Sequence, residues 1–140
     1  MLFDTNVVLD LLLARQPFAA TSAALIGHVE RGELGGMLGA TTITTLHYLA
    51  RRAVGAAAAD AHVARLLSLF EVAPVTRAVL GDALAASWPD FEDAVLHEAA
   101  RHATADGIVT RDADGFARAT LRVYAPDDLL ALLSRVDGGA

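Results

Sequence analysis

Residues 1–10 read MLFDTNVVLD. Met1, Leu2 and Phe3 run into Asp4, and apolar residues resume at Val7, Val8 and Leu9. A short apolar run that halts at a carboxylate reads as a buried strand, and Asp-Thr-Asn is a good helix start. The same pattern returns late in the chain. GIVTRDADGF, residues 107–116, predicts a strand over Gly107–Thr110 and sets Asp112 two residues beyond its end. Between them, WPDFEDAVLHEAA (residues 88–100) predicts a helix that starts at Asp90 and carries Asp93 in its first turn. Leu96, Ala100 and Ala103 follow Asp93 at i+3, i+7 and i+10. Asp93 is therefore expected to face inward, with Glu98 and Arg101 on the outer side.

The remaining chain alternates in the same way. Further strands are predicted within Leu34–Ala40, at Glu71–Ala73 and at Leu121–Tyr124. Helices are predicted from Val7 to Leu13, Phe18 to Arg31, Thr41 to Arg52, Gly55 to Phe70, Thr76 to Ser87 and Asp127 to Leu133, with the last residues, Asp137–Ala140, fraying. Gly32 and Thr76 are a helix stop and a helix cap. Short strands alternating with helices imply an α/β fold, a mainly parallel sheet covered on both faces, in one domain spanning residues 1–140.

Composition narrows the chemistry. All 11 basic residues are arginine, so mechanisms that need a lysine are excluded. There is no cysteine, hence no disulfide and no thiolate metal site. His97 and His102 are five residues apart, off the spacing of a helical zinc pair. A net charge of −6 speaks against a broad nucleic-acid-binding face. Apolar runs are far too short for a membrane span, and Asp4 and Asp10 interrupt the first, so the expected location is cytoplasmic.

In an open parallel sheet, ligands bind beyond the carboxyl ends of the strands. Asp4 and Asp112 reach one rim if their strands are neighbours, and Asp93 can join them from its helix. Carboxylates about 4 Å apart repel by roughly 4 kcal/mol per pair at an effective dielectric of about 20. A divalent cation resolves that conflict, and an all-oxygen set favours Mg²⁺ or Mn²⁺ over zinc. Such an ion can activate water against a phosphodiester. Each aspartate also has a purely structural reading. Asp4 can cap a helix, Asp93 can belong to a capping box with Asp90, and Asp112 can form an Asx turn. Their joint placement carries the site. Asn6 is a supporting candidate, as is Glu92, which lies beside Asp93 but about 100° around the helix. Asp10, Asp90 and Asp114 are read as surface residues, and Trp88 as packing at a loop.

The strings LFDTNVVLD, DFEDAV and IVTRDADGF, in this order and at wide spacing, resemble the PIN domain. With TTITTLHYLARR and the RQPF segment they resemble in particular the VapC-like ribonuclease toxins of toxin–antitoxin pairs. The resemblance implies a three-layer α/β/α sandwich and an Mg²⁺- or Mn²⁺-dependent ribonuclease. It implies that Asp4, Asp93 and Asp112 are the catalytic, metal-binding acids, with Asn6 and the Thr110 hydroxyl in support. It implies an RNA substrate, with Arg15, Arg51, Arg52, Arg111 and Arg118 as candidate phosphate contacts, and an antitoxin protein as partner. A homodimer is a further expectation, because the apolar helix faces are more numerous than one core needs. The chain departs from the family at Thr45, where many relatives have a glutamate, and at Gly115, where many have another acid. Thr45 leaves open the alternative of a catalytically weakened module that binds RNA or protein.

Overall fold

The computed structural model describes the backbone of residues 1–138 and the side chains of residues 1–136. Five short strands are β1 (Leu2–Phe3), β2 (Met37–Gly39), β3 (Glu71–Ala73), β4 (Gly107–Val109) and β5 (Arg122–Tyr124). They form one parallel sheet in the order β3-β2-β1-β4-β5. Among the described residues seven α-helices accompany them: α1 (Thr5–Leu12), α2 (Ala19–Glu30), α3 (Ala40–Val54), α4 (Ala56–Leu69), α5 (Arg77–Ala86), α6 (Phe91–His102) and α7 (Pro126–Gly138).

Successive strand residues point to opposite faces, and the sheet has a core on each. Phe3 and Val109 join Val7, Val8, Leu25, Leu38, Leu46, Leu66 and Leu129, contributed by α1–α4, β2 and α7. Leu2 and Ile108 join Val79, Ala83, Ala94, Leu96, Ala99, Ala100 and Phe116 on the other side, chiefly α5 and α6. The result is the expected α/β/α sandwich. In a parallel sheet each strand is buried on both faces, and the two residue pairs at its centre, Leu2 with Ile108 and Phe3 with Val109, are fully buried.

The strand order places the functional rim. The chain winds outward from β1 through β2 to β3, then returns across α5 and α6 to lay β4 on the other side of β1. The order therefore reverses between β1 and β4, where a crevice opens at the carboxyl ends of an open α/β sheet. Asp4 follows β1 directly and donates its backbone N–H to Val109 O of β4 at 2.9 Å.

Local chemistry explains the element ends. Thr76 caps α5 by accepting from Val79 N (3.2 Å), and Asp90 caps α6 by accepting from Asp93 N (3.0 Å). Gly55 links α3 to α4 at φ +90°, a conformation that side chains disfavour, so the two helices meet without a loop. Trp88 packs at its loop against His97 and edge-on to Phe116. The last helix continues past the predicted Leu133 to Gly138, so Asp137 and Gly138 are helical rather than frayed; residues 139–140 lie outside the described residues. No helix among the described residues is long and apolar enough to cross a membrane.

Two surface assignments are corrected. Asp10 is fully buried, because α1 buries Val7 through Asp10 in succession, and Arg111 meets it through Nε at 2.6 Å and Nη2 at 3.1 Å. Glu98 is also buried, not outward-facing. Every residue of α6 from Ala94 to Ala100 is enclosed, and Arg101 Nε holds Glu98 Oε2 at 2.7 Å.

Candidate active site

Asp4 is the anchor. It leaves β1 in an extended conformation and caps α1, its Oδ1 accepting from Thr5 N at 2.7 Å. Its Oδ2 accepts from Thr110 Oγ1 at 2.7 Å and from Asn6 Nδ2 at 3.2 Å. The structural and the functional readings therefore use different oxygens of one carboxylate. Thr110 in turn accepts from Asp112 N at 2.9 Å, so one buried hydroxyl ties the ends of β1 and β4 together.

Asp93 and Asp112 converge on a bare piece of backbone. A Cβ at Gly115 would stand 2.5 Å from Asp112 Oδ2 and 2.8 Å from Asp93 Oδ2. No real Cβ tolerates such spacing, so a side chain here would displace both carboxylates. Asp112 Oδ1 meanwhile accepts from Gly115 N at 3.0 Å, closing the turn expected of it. The absence of a side chain at 115 thus has a steric consequence: it leaves room for two carboxylates.

The electrostatics agree with the geometry. Burial, followed by the charges of Asp90, Asp4, Asp112 and Glu92, pushes the Asp93 carboxyl up to about 7. Burial also raises Asp4; the hydrogen bonds from Thr110 and Thr5 oppose it, while the charges of Asp112 and Asp90 reinforce it. None of the ion pairs formed among the described residues involves Asp4, Asp93 or Asp112. Asn6 Oδ1, shielded from solvent beside Asp4, has no hydrogen-bond partner. An unpaired buried acceptor costs about 1–3 kcal/mol. The charges of Asp4 and Asp112 act on Asp93, and that of Asp112 on Asp4, yet the three are not among the described residues whose ligand atoms all lie within 4.8 Å of one another; in chemical type these oxygens and the idle amide suit a hard divalent cation.

The other predicted residues are distributed as follows. Glu92 is exposed, near enough to raise the Asp93 carboxyl. Thr45 returns its hydroxyl to Thr41 O (3.1 Å) within α3 and brings no charge. Arg111 is committed to Asp10, with Arg15 Nη1 at 3.9 Å from the same carboxylate. Arg51 is exposed on α3. Arg52 lies against Tyr48, and Arg118 donates to Ser87 O at 2.8 Å.

A second acidic group was not visible in the sequence. Asp82, Glu98 and His102 bring one ligand atom each within 4.8 Å of one another, close enough for one cation. Here a guanidinium already stands: Arg101 reaches Glu98 Oε2 at 2.7 Å and Asp82 Oδ2 at 2.9 Å. No spacing signals this group, because α5 supplies Asp82 and α6 the rest.

Fold and site together define an α/β/α sandwich with an acidic centre at the carboxyl rim of its parallel sheet. The chain belongs to the PIN domain family, whose model matches residues 1–114, a span that holds all three acids. Among solved structures it is similar to a chain of a toxin–antitoxin complex from Klebsiella pneumoniae, at 18% identity and TM-score 0.68, covering 89% of this chain and 96% of that one. It is similar to VapC20 of Mycobacterium tuberculosis, a sarcin–ricin loop cleaving toxin, at 21% identity and TM-score 0.67, covering 84% and 93%. FitAcB from Neisseria gonorrhoeae gives 20% identity and TM-score 0.66 over 89% and 96%. No curated protein matches by sequence.

Proposed function

We propose that this protein is an Mg²⁺- or Mn²⁺-dependent endoribonuclease acting as the toxin of a toxin–antitoxin pair. The observation that carries this reading is a set of acids at the β1–β4 crevice, Asp93 and Asp112 meeting over Gly115 and both coupled in charge to Asp4, without any basic partner. A divalent cation there would supply an activated water and stabilise the developing charge on a phosphodiester oxygen. Asp4, fixed by Thr110, Asn6 and the start of α1, would hold the cation in a set position. Asp93 would give up its proton on loading, since burial and the neighbouring acids push its carboxyl up to about 7. Asp112 lies exposed at the outer edge, on the side from which RNA would approach.

The partners follow from the same site. Chains of similar fold have been solved in toxin–antitoxin complexes, and an open acidic rim is a natural target for a basic antitoxin segment. Exposed Leu80, Leu84 and Phe91 on α5 and α6 support pairing with a second copy. Light scattering at micromolar concentration giving a strict monomer would remove the dimer.

A second reading, an RNA- or protein-binding module with weakened turnover, is favoured by Thr45. Its hydroxyl is turned back onto its own helix at the position where the family resemblance implies a carboxylate. Cleavage decides between the two. Purified protein is mixed with a pool of cellular RNAs and Mn²⁺, Mg²⁺ or EDTA, beside Asp93→Asn. Metal-dependent cutting that the variant lacks supports the nuclease. Equal inertness of both proteins supports the binding module, and equal cutting contradicts the assigned site.

A further inference from the structure

We infer that a cavity beside the acidic rim receives one unpaired nucleobase of the RNA, an inference that rests on the ribonuclease reading above. The cavity has a volume of about 430 Å³ and lies between the α1–α2 connection, the end of β4 and the start of α7. Phe18, Thr21, Ser22, Asp10, Arg111 and Asp127 line it. Its volume falls in the range of small-ligand pockets.

Two independent features point to a planar, uncharged guest. The first is a stacking platform. The Arg111 guanidinium lies 3.9 Å from the centre of the Phe18 ring, and two bonds to Asp10 fix its plane. Single-stranded bases stack on aromatic rings and on arginine planes. The second is a hydroxyl with nothing to bond. Ser22 is fully buried, lines the cavity, and its Oγ has no partner. Its neighbour Thr21 is already engaged, donating to Asp127 Oδ1 at 2.8 Å. Ser22 thus offers one free hydrogen-bonding group to the edge of a stacked ring.

Charge decides between base and phosphate. Asp10 takes up Arg111 and, at 3.9 Å, Arg15, and Asp127 adds a second carboxylate to the lining, so the cavity holds no unpaired guanidinium for an anion. The location fits a base that flanks the cleaved bond. Arg111 sits between Thr110, which bonds Asp4, and Asp112; adjacent Cα atoms are about 3.8 Å apart. The two neighbours of Arg111 in sequence therefore serve the acidic rim while Arg111 itself lines the cavity.

The test uses the four nucleoside 5′-monophosphates, with ribose 5-phosphate as a base-free control, in EDTA so that neither metal nor turnover contributes. Binding is followed by backbone amide shifts in two-dimensional NMR. Saturable shifts at Phe18, Thr21, Ser22 and Arg111 with at least one nucleotide, absent with ribose 5-phosphate, are expected. Phe18→Ala should weaken that binding about tenfold, and Phe18→Tyr, which keeps the ring, should retain it. Ser22→Ala should alter the ranking of the four bases. Equal shifts from ribose 5-phosphate, or none at these residues from any nucleotide, would overturn the pocket. So would a folded Phe18→Ala that binds as wild type. The two readings fail separately. A wild type that cuts RNA yet shows no base-dependent shifts loses the pocket and keeps the nuclease. One that binds bases here yet never cuts RNA loses the nuclease and keeps the pocket.

Discussion

Asp4 and Asp10 lie six residues apart in one segment, both buried, and their surroundings differ in kind. Asp10 is met by Arg111 through two nitrogens at 2.6 and 3.1 Å. Asp4 receives a backbone N–H, a hydroxyl and an amide, but no cation. Protein folds neutralise buried carboxylates when the only need is stability. The fold does so at Asp10 and again at Glu98, where Arg101 stands. At the β1–β4 crevice it does not, and there burial, reinforced by the neighbouring acids, pushes the Asp93 carboxyl up to about 7. A set of carboxylates left without a counter-charge, in a chain that supplies one elsewhere, is the ground for proposing these as the functional acids.

The comparison can be broken most decisively by exchanging the roles of the two residues. Asp4→Asn should lower RNA cleavage by more than about 100-fold, since even residues that merely support a metal ligand are worth about 10–100-fold. Its fold should survive, because the amide can still cap α1. Retained cleavage in initial-rate assays would place Asp4 with the structural acids. Asp10→Ala should do the opposite. It strands the Arg111 guanidinium and should cost about 3 kcal/mol in urea unfolding, the low end for a broken buried pair because Arg111 keeps some contact with water. An unchanged midpoint would show that the pair is not structural.

Cation binding sharpens the contrast further. Mn²⁺ at about 100 times its dissociation constant should raise stability by about 2.7 kcal/mol. Asp93→Asn should lose that gain although Asp82, Glu98 and His102 remain intact. A gain kept in Asp93→Asn would move the metal to the α5–α6 group. Gly115→Ala should weaken Mn²⁺ affinity about tenfold, by forcing apart the two carboxylates that converge on it. Calorimetry showing unaltered affinity would mean the turn absorbs the methyl group.

The smallest effect is on pH dependence. The folded pKa of Asp93, about 7, lies above its unfolded value of about 3.9. The metal-free folded state therefore binds the proton more tightly. The stability contributed is fully present below about pH 4 and is lost as pH rises through 7. Mn²⁺ affinity should rise over that same window, because the cation displaces the proton. Asp93→Asn should flatten both profiles in thermal melts recorded from pH 4 to 8.

These contrasts also explain what could be read in advance. The rim was legible because strand ends announce themselves: Phe3 runs into Asp4, and Val109-Thr110 runs toward Asp112. Helix ends were legible where Thr76, Asp90 and Gly32 carry local signals. Asp10 was not, because its partner Arg111 is 101 residues away and only the sheet order brings them together. Glu98 was misplaced because helical periodicity assumes one exposed face, whereas α6 is enclosed from Ala94 to Ala100. Gly115 read as a missing acid, and its role as open space for two others needed coordinates.

The most direct test of the central claim is calorimetric titration of Mn²⁺ into wild type, Asp4→Asn and Asp10→Asn at pH 8. Saturable binding is expected in wild type and in folded Asp10→Asn, and none in Asp4→Asn. Binding in Asp4→Asn as tight as in wild type would contradict that claim.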